Sequence, residues 1–215
     1  MTLFYSADDI DALERNTRTH LINAITGIKP GNMIGTVSSQ GLENLAIFSS
    51  VVHLGSHPPL LGFVVRPQGR APRDTYNNIM QTSYFTINHI PSNMVDQAHD
   101  TSIRFKPEVS EFEECGFQAC YLEAFPAPFV AESPLKIGLK LINQIPIPDN
   151  NTELLIGQVE ALHIELDSLP EKGQLDLEQL DVAGISGLNS YYTLQRQSTK
   201  PPASVERAIY QKMPE

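Results

Sequence analysis

The sequence is short of three things, and each shortage excludes something. Two cysteines, Cys115 and Cys120, are too few for a disulfide framework, and in a chain expected to stay inside the cell both thiols are expected to be reduced. No apolar run suits a lipid-spanning helix: the most apolar stretch, Pro58 to Val65, is under half of the roughly 20 residues such a helix needs. Basic charge is scarce as well. Lys and Arg number 15 against 25 Asp and Glu, for a formal net charge of -10, and they are scattered. The clustered cations that neutralise nucleic-acid phosphates are therefore missing. Asp8, Asp9 and Asp11 stand where a secretory leader has its basic region and apolar core, so a cytoplasmic protein with no nucleic-acid or membrane partner is expected.

What is present suffices for a core. Hydrophobic residues make up 41% and charged residues 19% of 215 residues, with a mean hydropathy of -0.18, in the range of one soluble domain. Residues 1–194 read as that domain. Residues 195–215 contain Pro201-Pro202 and few large apolar groups, and read as an arm or tail.

The first segment, Ser6 to Gly27, predicts one helix: Ser6 can cap it with Asp9 three residues on, and Ile10, Leu13, Leu21, Ile22 and Ile25 recur at near-helical spacing. β-like runs follow at Met33–Ser38, Asn44–Leu54 and Leu60–Val65, divided by turn clusters at Ser39-Gln40-Gly41 and 55–59. A helix is expected from Asp74 through Met80, a strand over Tyr84–Ile90, and a short helix from Pro91 through Ala98. Thr101 to Glu114 reads as a polar surface excursion, with Glu111, Glu113 and Glu114 on a solvated face. Strands are then expected at Tyr121–Glu132, Leu135–Ile145 and Leu154–Leu166. Strands without intervening helices disfavour a doubly wound parallel sheet and leave α+β, or a mainly β barrel with peripheral helices.

The chemistry is concentrated in three segments: Asn44-Leu45-Ala46-Ile47-Phe48-Ser49-Ser50, the strand ending at Arg66, and the start of the helix at Arg73-Asp74-Thr75. Hydroxyls, two guanidiniums and the free amides of a helix's first turn are parts that suit a phosphate. The same residues also fit a plain surface, with Ser49 and Ser50 in solvent and both arginines paired with carboxylates.

In order and spacing, Asn44, Ala46, Phe48 and Ser49, then Pro58-Pro59, then Arg73-Asp74-Thr75 with Asn78-Ile79 and Asn88, resemble the flavin reductase-like, FMN-binding split-barrel family. The similarity continues through Glu111-Phe112 with Gly116, Ala127-Pro128, Glu132-Ser133-Pro134, and Gly187 with Tyr191. Ile47 departs from a frequent proline, and Gly184 with Ser186 depart from a common Arg and Gly. The resemblance implies a mainly β, Greek-key split β-barrel with peripheral helices, and a homodimer with FMN near the subunit interface. It also implies electrons from NADH or NADPH passing to a small-molecule substrate or acceptor. By position, the backbone of Asn44, Leu45, Ala46, Ile47 and Phe48 would line the flavin ring, and Ser49, Ser50, Arg66, Arg73, Asp74 and Thr75 would hold its phosphate end. No catalytic residue is expected, because hydride transfer to a flavin is the cofactor's own chemistry. A non-enzymatic FMN carrier or electron-transfer module is the alternative, and a split barrel that has lost its flavin a third possibility.

Other constellations read more plainly. His53 and His57 have the spacing of a helical metal pair, but Pro58-Pro59 follow and no helix is expected there, so no metal is assigned. Cys115 has no nucleophile motif around it, and Tyr191 and Tyr192 read as packing residues before ligand contacts.

Overall fold

Ser6 opens the chain's first helix as its spacing predicts. In the computed structural model, which describes residues 2–66, 73–106 and 108–200, its Oγ accepts from the Asp9 amide at 3.2 Å while Asp9 Oδ2 accepts from the Ser6 amide at 2.9 Å. The single helix expected over Ser6–Gly27 is in fact two, α1 (Ala7–Ala12) and α2 (Arg15–Ala24). The cause is local. Glu14 Oε2 accepts from the amides of Asn16 and Thr17, which starts a new helix, and Leu13 turns extended to allow it. Arg18 Nη1 then donates to the Asp11 and Leu13 carbonyls that α1 leaves open. Neither helix buries a residue.

Seven strands form one sheet: β2 (Asn32–Val37), β3 (Glu43–Phe48), β4 (Val52–Ser56), β5 (Pro59–Val65), β6 (Tyr84–His89) and the long hairpin β9 (Leu135–Ile147) and β10 (Thr152–Ile164). Every pairing is antiparallel, in the order β3-β2-β6-β9-β10-β5-β4. The stretch Asn44–Leu54, expected as one strand, breaks at Ser49–Val51 into β3 and β4. These two lie at opposite edges of the sheet although only three residues join them, and three residues span at most roughly 14 Å. The sheet must therefore curl until its edges approach, which makes it a barrel with one unpaired seam. Ser50, in that connection, is tied to β5 in the register of the β4–β5 ladder, its Oγ donating to the Val64 carbonyl and accepting from the Val64 amide, both at 3.1 Å.

Inside the barrel Ile34, Phe63, Ile79, Phe85, Ile87, Leu139 and Leu155 are wholly buried. Helix α3 (Asp74–Thr82) closes one end, supplying Ile79. On the sheet's outer face Met33 and Leu45 join a second core with α4 (Val95–Asp100) and with α5 (Glu111–Glu114), whose Phe112 is buried. A small sheet of β1 (Lys29–Pro30), β11 (Ala183–Ser186) and β12 (Ser190–Thr193) is sewn to the barrel where the Gly31 amide donates to Ala183 and the Ala183 amide to Ile90. Gly35 sits under this outer layer. A Cβ there would fall on the Pro128 carbonyl and lie 2.6 Å from Thr86 Oγ1. Gly35→Ala is thus expected to cost about 2 kcal/mol, read as a lower denaturant midpoint.

One expectation fails here and another holds only in part. Only Phe129–Val130 (β8) of the strand expected over Tyr121–Glu132 is extended and paired, with β7 (Ala119–Cys120). Glu123 and Ala124 are left-handed, at φ 49° and 56°, and Pro126 and Pro128 have no N–H to give a ladder. The excursion over Thr101–Glu114, whose Pro107 lies outside the described residues, is largely exposed and keeps Glu113 and Glu114 in solvent as expected, but its closing helix buries Phe112 and takes Glu111 toward the core. Of the tail, residues 201–215 lie outside the described residues. Its start is anchored, Arg196 Nη2 standing 2.7 Å from Asp176 Oδ2. Among the described residues no helix is long and apolar enough to cross a membrane.

Candidate functional site

Strand β3 is an edge strand, so its amides alternate between β2 and the open side. The Leu45 amide faces outward, donating to Glu111 Oε2 at 3.1 Å. By the same alternation the Ile47 amide faces outward too, and those of Asn44, Ala46 and Phe48 turn to β2. The side chains divide oppositely: Leu45 is buried in the outer core, and the Phe48 ring meets Phe63 edge-on at 5.1 Å inside the barrel.

At the hairpin end of β3 a buried polar cluster locks α3 in place. Asn44 Nδ2 donates to Thr36 Oγ1 at 3.3 Å and to Thr75 Oγ1 at 3.1 Å, and Asn78 Nδ2 donates to Thr36 Oγ1 at 3.1 Å. This fixes the start of the helix, where Arg73 stands in the capping position without a side-chain cap bond. Arg73 Nε is buried and has no hydrogen-bond partner. Arg66, exposed, ends the strand on the other side of the connection, whose residues 67–72 lie outside those described. The structure therefore brings Asn44, Arg73, Asp74 and Thr75 together. It commits the Ser50 hydroxyl to Val64, so its proton is already donated within the chain.

Beside this cluster lies a cleft of about 290 Å³ whose walls include Glu43, Asn44, Asp74, Gln81 and Glu111. Three carboxylates make it hostile to phosphate. The Asp74 carboxylate belongs to this side, leaving its main-chain N–H as the group suited to an anion. Burial pushes the Glu111 carboxyl above the usual carboxylate range, and Asp74 adds repulsion, against the lowering effect of the backbone amides of Glu111 and Leu45. A carboxyl whose pKa is higher folded than unfolded takes stability away as pH rises from the usual carboxylate range through the raised value. Glu111→Gln keeps an oxygen for the Leu45 amide, so it is expected to melt at the same or a higher temperature at neutral pH. The difference should vanish below the usual carboxylate range, and a less stable variant at neutral pH would mean that the charged hydrogen bond outweighs burial.

Glu111 is the residue that sequence reasoning missed. Its neighbours Glu113 and Glu114 are exposed, and nothing in an acidic triplet tells which carboxylate reaches a strand far away in the chain. The rival residues behave plainly. His53 is exposed on β4, with Nε2 3.2 Å from Ser56 Oγ, and among the described residues no three His, Cys, Asp or Glu are grouped to hold a metal. Both cysteines are free, and burial pushes the Cys115 thiol up to about 11. Tyr191 packs on the outer core with its hydroxyl 3.0 Å from His99 Nδ1, whereas Tyr192 is exposed.

Comparison with known proteins agrees with this architecture. Residues 27–178 match the model of the flavin reductase like domain. The uncharacterized protein BH2278 of Halalkalibacterium halodurans is 32% identical over 79% of this chain and 83% of its own. A flavin reductase-like protein of Shewanella frigidimarina with a split barrel domain superposes with a TM-score of 0.90 at 43% identity, covering 94% of this chain and 100% of that one. Nitrilotriacetate monooxygenase component B of Bacillus cereus, at 22% identity and a TM-score of 0.80 over 93% of this chain and 99% of that one, shares the fold. A split barrel closed by the Ser49–Val51 connection and a matched domain spanning most of the chain make this protein a member of the flavin reductase-like family.

Proposed function

We propose that this protein binds FMN along the open edge of β3 and, as a homodimer in the cytoplasm, passes electrons from NADH or NADPH to a small-molecule acceptor. The observation that carries the reading is Arg73, whose buried Nε lacks a partner at the uncapped start of a nine-residue helix. An unpaired buried guanidinium nitrogen is costly, and the amides of a helix's first turn add donors and a favourable dipole to the same spot. An anionic group such as the FMN phosphate meets both needs. Arg66 stands across the connection to add a second charge, and the Thr75 hydroxyl is held near by Asn44.

When bound, FMN supplies a ring that accepts and releases a hydride. The chain's own residues bind and orient it. Asn44 and Thr75 fix the helix that grips the phosphate, the β3 backbone sets the line of the ring, and Phe48 with Phe63 keeps water from the barrel beneath it. Dimerisation is supported by the N-terminal region, where α1 and α2 bury nothing and Phe4, Ile25 and Ile28 are exposed at 86%, 67% and 53%.

The test is the visible spectrum of the protein with stoichiometric FMN, before and after anaerobic NADH or NADPH. A perturbed flavin band that bleaches supports a reductase. A perturbed band that stays oxidised with both donors points to a carrier, and an unperturbed band refutes flavin binding.

A further inference from the structure

Asn44 and Asn78 are exposed at only 7% and 6%, yet each presents one polar atom outward. Their Nδ2 groups donate inward, Asn44 to Thr36 and Thr75, and Asn78 to Thr36. That use of the NH₂ fixes which way each amide lies and leaves its oxygen as the free group. Among the described residues no donor meets either Oδ1, and neither oxygen is among the buried atoms left unmet. Both residues line the cleft of about 290 Å³ beside α3, so two fixed acceptors point into one space.

The rest of the wall has the same character. Helix α3 turns Asp74, Asn78 and Gln81 to this side, four and three residues apart and so on one helical face. Glu43 comes from the start of β3 and Glu111 from α5. Glu43 Oε1 accepts from Tyr121 Oη at 2.9 Å, which leaves its second oxygen for the cleft, and Gln81, its Oε1 taking the Ser39 amide at 3.4 Å, offers a donor among these acceptors. Among the described residues no Lys, Arg or His stands in the wall, and the ion pairs Lys136–Glu165 and Arg196–Asp176 involve none of these carboxylates. Burial pushes the Glu111 carboxyl up and Asp74 adds repulsion, so a positive charge between the two would oppose both effects.

The chemistry that answers is a cation carrying several N–H groups. A bare metal ion fits poorly, because among the described residues no three His, Cys, Asp or Glu are grouped to hold one. The volume instead lies near the lower end of small-molecule pockets, roughly 300 Å³. A quaternary ammonium brings charge without donors, and no aromatic ring of the described residues lines the cleft to receive it.

We propose that the cleft between the β2–β3 turn, α3 and α5 binds an organic cation of the aliphatic diamine and polyamine class. The site is independent of the flavin reading, and its test stands whether or not FMN binds. Purified full-length protein, freed of flavin, is titrated calorimetrically at physiological salt with two probes. One is cadaverine, a short alkyl chain with an ammonium at each end, and the other is pentamethonium, the same chain with every N–H methylated. One cadaverine is expected per chain, bound roughly tenfold or more tightly than pentamethonium, because only cadaverine can donate to the carboxylates and to the Asn44 and Asn78 oxygens. Asp74→Asn and Glu111→Gln should each weaken cadaverine roughly fivefold or more. Glu113→Gln, which removes the same charge from an exposed neighbour outside the cleft, should leave its affinity unchanged. If either cleft variant fails to fold, the other decides together with the wild-type ratio. Equal affinity for the two probes, or an equal loss in Glu113→Gln, overturns the site and leaves only the diffuse attraction of a chain of net charge -10. An absence of cadaverine binding overturns it as well and leaves the cleft to water.

Discussion

Arg73→Ala is expected to weaken FMN binding by about ten- to a hundredfold while changing riboflavin binding little. Charge-assisted hydrogen bonds to an anion contribute roughly 1.5–3 kcal/mol each, and only FMN carries the phosphate. The side chain lacks competing obligations at Nε, so its removal should leave the surrounding structure unstrained. Arg73→Lys should fall between, since it keeps the charge and loses the planar fork. Paired titrations of the two flavins measure this, and an equal loss for both would move Arg73 away from the phosphate.

Phe63→Ala is expected to destabilise the fold by about 4 kcal/mol, lowering the melting temperature by roughly 10 °C or more. Phe63 is wholly buried and stands at the centre of an aromatic chain, edge-on to Phe48 at 5.1 Å and to Phe85 at 5.4 Å. Phe48 and Phe63 approach the seam from its two sides, so the cavity would open beneath the closure as well as in the core. Thermal unfolding of the variant reads the first effect. Loss of FMN affinity beyond that of a variant equally destabilised elsewhere, such as Gly35→Ala combined with another core truncation, reads the second.

Much of this was legible from the amino acids because the signals were local. Ser6 and Asp9 make a capping box wherever they meet, the runs at Met33, Leu60 and Tyr84 alternate or carry β-branched residues, and a helix starts at Asp74 as expected, although Arg73 rather than Asp74 takes the capping position. The failures share a different cause. Whether Glu14 continues a helix or caps a new one turns on a side-chain rotamer, and the same letters permit both. The left-handed pair Glu123 and Ala124 carries no glycine or asparagine to announce it. At the site, the order of motifs marked Asn44, Arg73 and Thr75 as a group. That Ser50 is spent on Val64 and that Glu111 reaches Leu45 depend on register between elements distant in the chain. Periodicity gives the face of a residue but not its opposite number.

The seam between β3 and β4 gives the barrel an unusual mechanical character. A closed barrel distributes its hoop tension over a full ring of ladder hydrogen bonds, whereas here one turn of chain, Ser49 to Val51, anchored to β5 through the Ser50 hydroxyl, carries it across the gap. A nick or a flexible insertion in that turn would leave every ladder of the sheet intact and release only the hoop. The two edge strands, one bearing the Asn44–Phe48 segment, would then be free to move apart. A molecule lying along that segment would then act as a clasp, and its tightness would report how far the hoop is closed.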